Sequence, residues 1–517
     1  MLDLAFAALQ QFAVEIGHLI VDPVAILLLF GSVIMGIIFG ATPGLTATLG
    51  VALLTTLTYG MSPATAMVAL MGIYVGGVYG GSYTAILVNI PGTAAAAATA
   101  MDGYPLAKKG YAGRALGLTT TASAIGTFIG MIFVVAFSPI ISALALEFTS
   151  FEFFLLALFG IVISGTLTSH DLVIKGWIAG FIGLWMATIG RDGLQNYPRF
   201  TFGYSELDSG LDLVPVLIGA FGIPQIMQTL RDNMKYGEMA EVNRIVPEWR
   251  TIGKNFKNIV RSALIGVGIG AVPGIGEDIA GWVSYGTAKN SSKHPELFGT
   301  GVEEAVVATE TANNACIGGA MIPLLSLGVP GSPPAAMLLG ALLLHGFNPG
   351  PMLNIDHPGF YLQITAILLL ASFTMWICGI FLAKQVIKVL KIPISIFMPV
   401  IGVLCVIGSY ALGTNVFNLF LMLPVGFMAY FLTEMKYPIA PLVIGVILGE
   451  MCDTNLRRAL MVSKGSFLPV FTRPVALILF LVIAYMMISQ IPAVKALQNR
   501  VVATLFSRRK KAGKSQD

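Results

Sequence analysis

Residues 74–97 read YVGGVYGGSYTAILVNIPGTAAAA, and the Pro91-Gly92 pair interrupts this strongly apolar stretch. Proline removes a backbone hydrogen-bond donor and ends the helix before it, whereas glycine accepts backbone angles that other residues avoid. The stretch therefore predicts a helix that breaks within apolar sequence and leaves peptide groups without helical partners. Lipid cannot satisfy such groups, so the break must face protein, water or a ligand.

The composition of the whole chain places that break in a membrane. The chain has 517 residues, of which 56% are hydrophobic and 11% charged, and its mean hydropathy is +0.83. Soluble domains carry about 25% charged residues. The apolar runs, such as 64–87 and 360–382, have the length that a helix needs to cross the bilayer. We therefore expect an all-α polytopic membrane protein with about ten to twelve transmembrane helices.

A pair of Pro-Gly motifs occurs twice along the chain, in the same order. Pro43-Gly44 and Pro91-Gly92 recur as Pro273-Gly274 and Pro330-Gly331, at offsets of 230 and 239 residues. Duplication explains this spacing, and we expect two sequence-related repeats with broken helices and Pro-Gly hairpins. The predicted segments are a peripheral N-terminal helix (1–19), a first transmembrane repeat (20–230), a polar linker (231–259), a second transmembrane repeat (260–493) and a basic cytoplasmic tail (494–517). Whether the repeats are parallel or inverted stays open.

The breaks also predict where a ligand binds. A half-helix that starts after a break presents unpaired N–H groups and the positive end of its dipole, which suits a carboxylate. The predicted substrate-binding residues are Pro43, Gly44, Thr46, Asn89, Pro91, Gly92, Thr93, Pro273, Gly274, Asn313, Asn314, Pro330, Gly331 and Ser332. The alternative is that these small and hydroxylated residues serve only to pack membrane helices closely.

Three acidic residues in or near apolar sequence are candidates for binding a coupling ion: Glu277, Asp278 and Glu310. Charged groups at membrane depth are costly and usually face a cavity, an ion or a partner. Either Na+ or H+ is compatible with them, and we expect no other cofactor or metal. The alternative is that Glu277 and Asp278 favour the dipole of the helix they open, and that Glu310 lies at a water interface.

Enzyme chemistry has little support in the sequence. It contains no phosphate loop, no HExxH, no GxSxG and no cysteine-histidine dyad, and its four cysteines lack the spacing of a zinc site. Without a nucleotide site the chain cannot itself use ATP, so an ion gradient is the natural energy source. We expect a transporter and not an enzyme, although an enzyme acting on a lipid-linked substrate remains the least favoured alternative.

Long motifs around the breaks resemble the large membrane subunit of the tripartite tricarboxylate transporters. They are GATPGLTATLG at 40–50, NIPGTAAAAATAMDGYPLAKKGYAGRALG at 89–117, GAVPGIGEDIAGWVSYGTAK at 270–289 and GVPGSPPAAMLLGALLLHG at 328–346. The resemblance extends from about residue 20 to 475.

This resemblance implies a permease of the bacterial inner membrane that works with two partners. One is a small transmembrane subunit, and the other is a periplasmic substrate-binding protein that delivers a small organic anion. Import is then secondary, driven by a Na+ or H+ gradient, and the Pro-Gly hairpins line the substrate site. A stand-alone carboxylate symporter or exporter is the alternative. Neither reading involves nucleic acid.

Overall fold

The computed structural model describes residues 2–169, 172–232, 240–242, 244–246, 248–390, 392, 394–411, 414–491 and 494. Most of the expected basic tail and part of the expected linker lie outside these residues. The α-helices are α1 Leu2–Val21, α2 Pro23–Ala41, α3 Ala47–Leu57, α4 Pro63–Val88, α5 Ala97–Leu106, α6 Ala112–Ala145, α7 Ser150–Thr168, α8 Val173–Ala187, α9 Leu213–Asp232, α10 Trp249–Lys254, α11 Phe256–Gly270, α12 Glu277–Ser291, α13 Glu303–Leu327, α14 Pro333–Leu344, α15 Leu353–Asp356, α16 Phe360–Phe381, α17 Ala383–Leu390, α18 Ile394–Ala411, α19 Phe417–Glu434, α20 Ile439–Val462, α21 Leu468–Thr472 and α22 Pro474–Ser489. Short turns of other helix types cover Ala94–Ala96, Ala107–Tyr111, Ser205–Leu207 and Pro295–Leu297, and strands β1 Gly190–Arg191 and β2 Pro198–Arg199 pair antiparallel.

The helices confirm the expected all-α membrane fold. In the part of the chain that the structure describes, eight helical stretches are long and apolar enough to cross a membrane. Five shorter apolar helices accompany them, among them α3 and α14, which begin directly after Pro-Gly breaks. The breaks therefore divide apolar sequence into partial spans, which is why a count of full-length spans alone falls below ten.

The two halves end equivalent helices with the same device. Asn89 terminates α4 in the left-handed conformation with φ 58°, and Gly328 terminates α13 with φ 70°. A left-handed residue lets the chain turn away while its N–H still reaches a carbonyl of the last turn. After each turn a hydroxyl-bearing residue opens the next segment, and Ser332 caps α14 by accepting a hydrogen bond from the Ala335 N–H at 3.3 Å.

Close helix contacts show that the duplication extends to packing. A Cβ added to Gly40 of α2 would lie 2.1 Å from the carbonyl oxygen of Gly77 in α4. A Cβ added to Gly270 of α11 would lie 2.4 Å from that of Cys316 in α13. These residues are separated by the same 230 and 239 positions as the Pro-Gly motifs. The pairs α2/α4 and α11/α13 are therefore equivalent in register as well as in sequence.

The equivalent helices α4 and α13 run in opposite directions. Ser82 of α4 donates to Glu310 of α13 at 3.2 Å. Tyr74, two turns earlier in α4, bonds to Ser332 at 2.8 Å, and the preceding residue, Gly331, packs on Ala320, further along α13. Residues earlier in α4 thus lie beside residues later in α13, so the two helices are antiparallel. The repeats are inverted, which the sequence had left open.

The halves also exchange helices at their ends. Helix α9, from the expected first repeat, packs against α18 and α19, whereas α20, from the expected second repeat, packs against α7 and α8. Helices of one expected repeat therefore pack against helices of the other. The repeat boundaries at 20–230 and 260–493 stay predictions. An interlocked arrangement of this kind holds the two broken-helix units against each other.

We expect Gly270→Ala to destabilise the protein and Gly268→Ala, two residues earlier in α11, to leave it unchanged or slightly more stable. The new methyl group at 270 would meet backbone of α13, whereas nothing lies within 4 Å of a Cβ at 268. Overpacking of this kind costs about 1–3 kcal/mol. The measurement is the apparent melting temperature of the purified chain in detergent. Equal melting temperatures for the two variants would contradict the packing described here.

Candidate functional site

The starts of four helical segments meet around one small cavity. The cavity has a volume of about 80 Å³ and is lined by residues 46–48, 93–95, 277–278 and 333–334, together with Val78. These ranges open α3, the turn before α5, α12 and α14, so each follows one of the four Pro-Gly breaks. The inverted repeats thus bring the segments that follow all four breaks to one place, and ligand binding there stays a prediction.

Glycine makes this convergence sterically feasible. A Cβ on Gly92 would lie 2.1 Å from the carbonyl oxygen of Gly40, and a Cβ on Gly331 would lie 2.0 Å from that of Gly270. In each half the second break therefore crosses directly over the end of the helix before the first. In the second half the Gly276 N–H also donates to the carbonyl of Gly331 at 3.2 Å. Some of the peptide groups that lack helical partners at one break therefore form hydrogen bonds with peptide groups of the neighbouring break.

The first-half side of the cavity is rich in hydrogen-bond donors. Ala47 and Thr48 open α3, and Ala94 and Ala95 open the segment that continues into α5. First-turn N–H groups have no acceptor within their own helix, and they carry the positive end of the dipole. Thr93 also lines the cavity and is 8% exposed, and its buried hydroxyl, which lies against Gly81 of α4, has no hydrogen-bond partner. This side can bind a carboxylate.

The second-half side carries the acidic side chains. Glu277 and Asp278 open α12, and Glu277 is only 4% exposed. The Tyr74 hydroxyl donates to Glu277 Oε1 at 2.5 Å and also bonds to the Ser332 hydroxyl at 2.8 Å. The two prolines that open α14 carry no N–H, so this helix start offers no first-turn donors at those positions. An anion in the cavity is therefore attracted from the first half and faces carboxyl groups from the second.

By the 239-residue offset between the repeats, Asn313 is equivalent to Tyr74, and Ser332 is equivalent to Thr93. The Tyr74–Ser332 pair is hydrogen-bonded, whereas the amide nitrogen and oxygen of fully buried Asn313 have no partner, as with the Thr93 hydroxyl. A buried polar group left unpaired costs about 1–3 kcal/mol. The two symmetry-related pairs thus differ, because Tyr74 and Ser332 bond to each other across the halves whereas Asn313 and Thr93 keep their polar atoms open, which is the arrangement expected for groups that bind a ligand.

Other predicted site residues support the breaks from outside the cavity. Gly44, with φ +92°, faces Thr229 of α9, and Gly274, with φ +73°, faces Ser164 of α7. Pro43, Pro91, Pro273 and Pro330 lie within the breaks, between the helices that flank them. Asn89 is exposed and serves as the C-cap of α4, and Asn314 donates from its amide to the Glu310 carbonyl at 3.3 Å.

Glu310 lies away from the cavity lining, within α13. Its carboxyl is fully buried and accepts hydrogen bonds from Thr99 at 2.5 Å, Ser123 at 2.9 Å and Ser82 at 3.2 Å. Glu310 therefore does not lie at a water interface, which was the alternative considered from the sequence. Sequence reasoning did not single out Tyr74, Thr99 or Ser123 as site residues. The signal for Tyr74 was a large hydroxylated side chain two residues before the Gly76-Gly77 pair in α4.

Comparisons with known proteins agree with this architecture. Residues 26–444 match the model of the tripartite tricarboxylate transporter TctA family. An uncharacterized 52.8 kDa protein in the TAR-I ttuC' 3'region of Agrobacterium vitis is 34% identical over 484 residues, covering 93% of this chain and 96% of that protein. An uncharacterized protein in the TAR-II ttuC' 3'region of the same organism is 32% identical over 234 residues, covering 45% of this chain and 97% of that protein.

No solved structure matches the chain. The family match nevertheless spans most of the sequence and includes all four Pro-Gly breaks, and the first relative is similar over nearly its full length. The chain belongs to the tripartite tricarboxylate transporter TctA family.

Proposed function

We propose that this chain is the large subunit of a binding-protein-dependent secondary importer of small carboxylates in the bacterial inner membrane. Tricarboxylates, dicarboxylates and related organic anions are the proposed substrates. The observation that carries the proposal is the convergence of four helix starts, from both halves, on one cavity where the Thr93 hydroxyl is unpaired. The partners proposed from the family are a small transmembrane subunit and a periplasmic binding protein.

The polarity of the cavity supports coupling to a cation. A carboxylate held by the donors at 46–48 and 93–95 would lie in the same small cavity as Glu277 and Asp278. Two like charges about 4 Å apart repel by about 4 kcal/mol at an effective dielectric constant of 20. An anion therefore binds well there only when a proton or a metal cation compensates the acidic side. Import driven by a Na+ or H+ gradient follows from that requirement.

The size of the cavity supports a conformational cycle. Its volume of about 80 Å³ is well below the roughly 150 Å³ of a protein cavity that holds benzene. A tricarboxylate is larger than benzene, so the four helix starts must separate to admit it. Inverted repeats around a central site are typical of transporters that alternate access between the two sides of the membrane.

The three-component requirement is tested by uptake of radiolabelled carboxylates into cells that express this chain with or without its two proposed partners. We expect uptake that needs all three proteins and an imposed Na+ or H+ gradient. Gly331→Leu should abolish it because that glycine contacts backbone of α11, whereas Gly286→Leu, which meets nothing within 4 Å, should retain it at equal membrane abundance. Uptake by this chain alone would favour a stand-alone symporter, and no anion uptake under any gradient would refute transport of carboxylates.

The role of Thr93 is tested by an isosteric substitution. Thr93→Val removes the unpaired hydroxyl of a residue that lines the cavity, and we expect KM for the carboxylate to rise about tenfold, since a hydrogen bond to a charged group is worth about 1.5–3 kcal/mol. Thr55→Val is the matched control, because Thr55 is buried in α3 and its hydroxyl bonds to the Val51 carbonyl. Unchanged KM in Thr93→Val would remove Thr93 from the binding site.

A further inference from the structure

The Glu310 carboxyl is enclosed by oxygen atoms from four helices. Thr99 of α5, Ser82 of α4 and Ser123 of α6 each place a hydroxyl oxygen 2.5–3.2 Å from a carboxyl oxygen of Glu310 in α13. The Thr309 hydroxyl lies 2.9 Å from that of Thr99 and adds a further oxygen. All of these side chains are buried, so the group forms one compact oxygen cluster within the bundle.

The hydroxyl hydrogens of Ser82 and Thr99 have acceptors other than Glu310. Ser82 lies 2.5 Å from the Tyr79 carbonyl oxygen, and Thr99 can donate to Thr309, whose own hydroxyl lies 3.1 Å from the Val306 carbonyl. Each hydroxyl carries one hydrogen but two lone pairs. When those hydrogens point outward, the lone pairs of Ser82 and Thr99 turn toward the carboxylate, as cation ligands do.

The equivalent positions in the other half are apolar. By the 239-residue offset, Met71 corresponds to Glu310, Met321 to Ser82 and Leu338 to Thr99. These three side chains are also buried. The same scaffold therefore packs well without polar groups at these places. The oxygen cluster, which both halves contribute to, has no polar counterpart at Met71, Met321 and Leu338 and is not required by the fold.

We propose that Glu310, Ser82, Thr99 and Ser123 form a Na+ site. An isolated carboxylate in a membrane interior is strongly unfavourable, and one monovalent cation neutralises it. A divalent ion would leave an uncompensated positive charge, since Glu310 is the one acidic ligand of the cluster. Hard cations prefer oxygen ligands, and the cluster offers the carboxylate and several neutral oxygens. A proton would need only the carboxyl group and one acceptor, not a cage drawn from four helices.

The position of the cluster connects cation binding to the anion cavity. Thr99 lies on the helical segment whose first residues, 93–95, line the cavity. Ser82 follows Gly81, and a Cβ on Gly81 would lie 2.2 Å from the Thr93 hydroxyl oxygen. A cation that holds Thr99 and Ser82 together therefore fixes the segment that offers donors to the carboxylate. This coupling role rests on the proposed function, whereas the cation site itself does not.

The test measures Na+ binding without substrate or partners. The melting temperature of the purified full chain is followed while NaCl replaces choline chloride or KCl at constant pH and ionic strength. We expect a saturable rise with Na+ in the wild type. In Glu310→Gln and Thr99→Val the rise should be lost or should need at least about ten times more Na+. Thr365→Val is the control, because Thr365 is equally buried and its hydroxyl bonds to the Tyr361 carbonyl within α16.

The outcomes separate this proposal from its alternatives. If Glu310→Gln does not fold, the milder Thr99→Val and Ser123→Ala variants decide. Absence of a Na+-specific rise in the wild type, or its retention in all three variants, would overturn the site. A melting temperature that responds to pH through Glu310 but not to Na+ would also overturn it in favour of a proton. Na+ binding at Glu310 without carboxylate uptake would refute the proposed function and leave the site intact.

Discussion

The structure depends on satisfying interrupted backbone where lipid cannot do so. Each Pro-Gly break frees peptide groups at membrane depth, and the second break of each half crosses the first at a distance that only glycine permits, with Gly92 against Gly40 and Gly331 against Gly270. Helices α9 and α7 then pack against the breaks, with Thr229 of α9 next to Gly44 and Ser164 of α7 next to Gly274. A scaffold held in this way keeps four helix starts pointed at one cavity.

On this symmetrical scaffold the side chains are not symmetrical, and the difference carries the chemistry. The first half presents first-turn N–H groups and an unpaired Thr93, whereas the second half presents Glu277 bonded to Tyr74 and two prolines without N–H groups. The polar cluster around Glu310 likewise has only apolar counterparts. Duplication supplied matching backbones, and substitution on each copy separated a side with an unpaired hydroxyl from an acidic side.

Much of the fold could be predicted from sequence because its signals are local. Apolar run length predicts membrane helices, Pro-Gly predicts breaks, and the motif spacing predicted the duplication, all of which follow from the covalent properties of nearby residues. Helix α13 was harder to recognise as a central helix, since Glu303, Glu304, Glu310 and the two asparagines lower its hydropathy. Those polar groups are tolerated because the helix is enclosed by protein along its length and scarcely meets lipid.

The sequence by itself determined a polytopic helical membrane protein with two repeats, four breaks and a set of acids and small polar residues near them. Only the tertiary structure decided that the repeats are inverted, that α9 and α20 exchange partners, and that Glu277 lies at the cavity while Glu310 lies in a separate cluster. The reason is physical. Breaks and spans arise from neighbouring residues, whereas these contacts join side chains more than two hundred positions apart, such as Tyr74 and Glu277, which the antiparallel packing of the halves brings together.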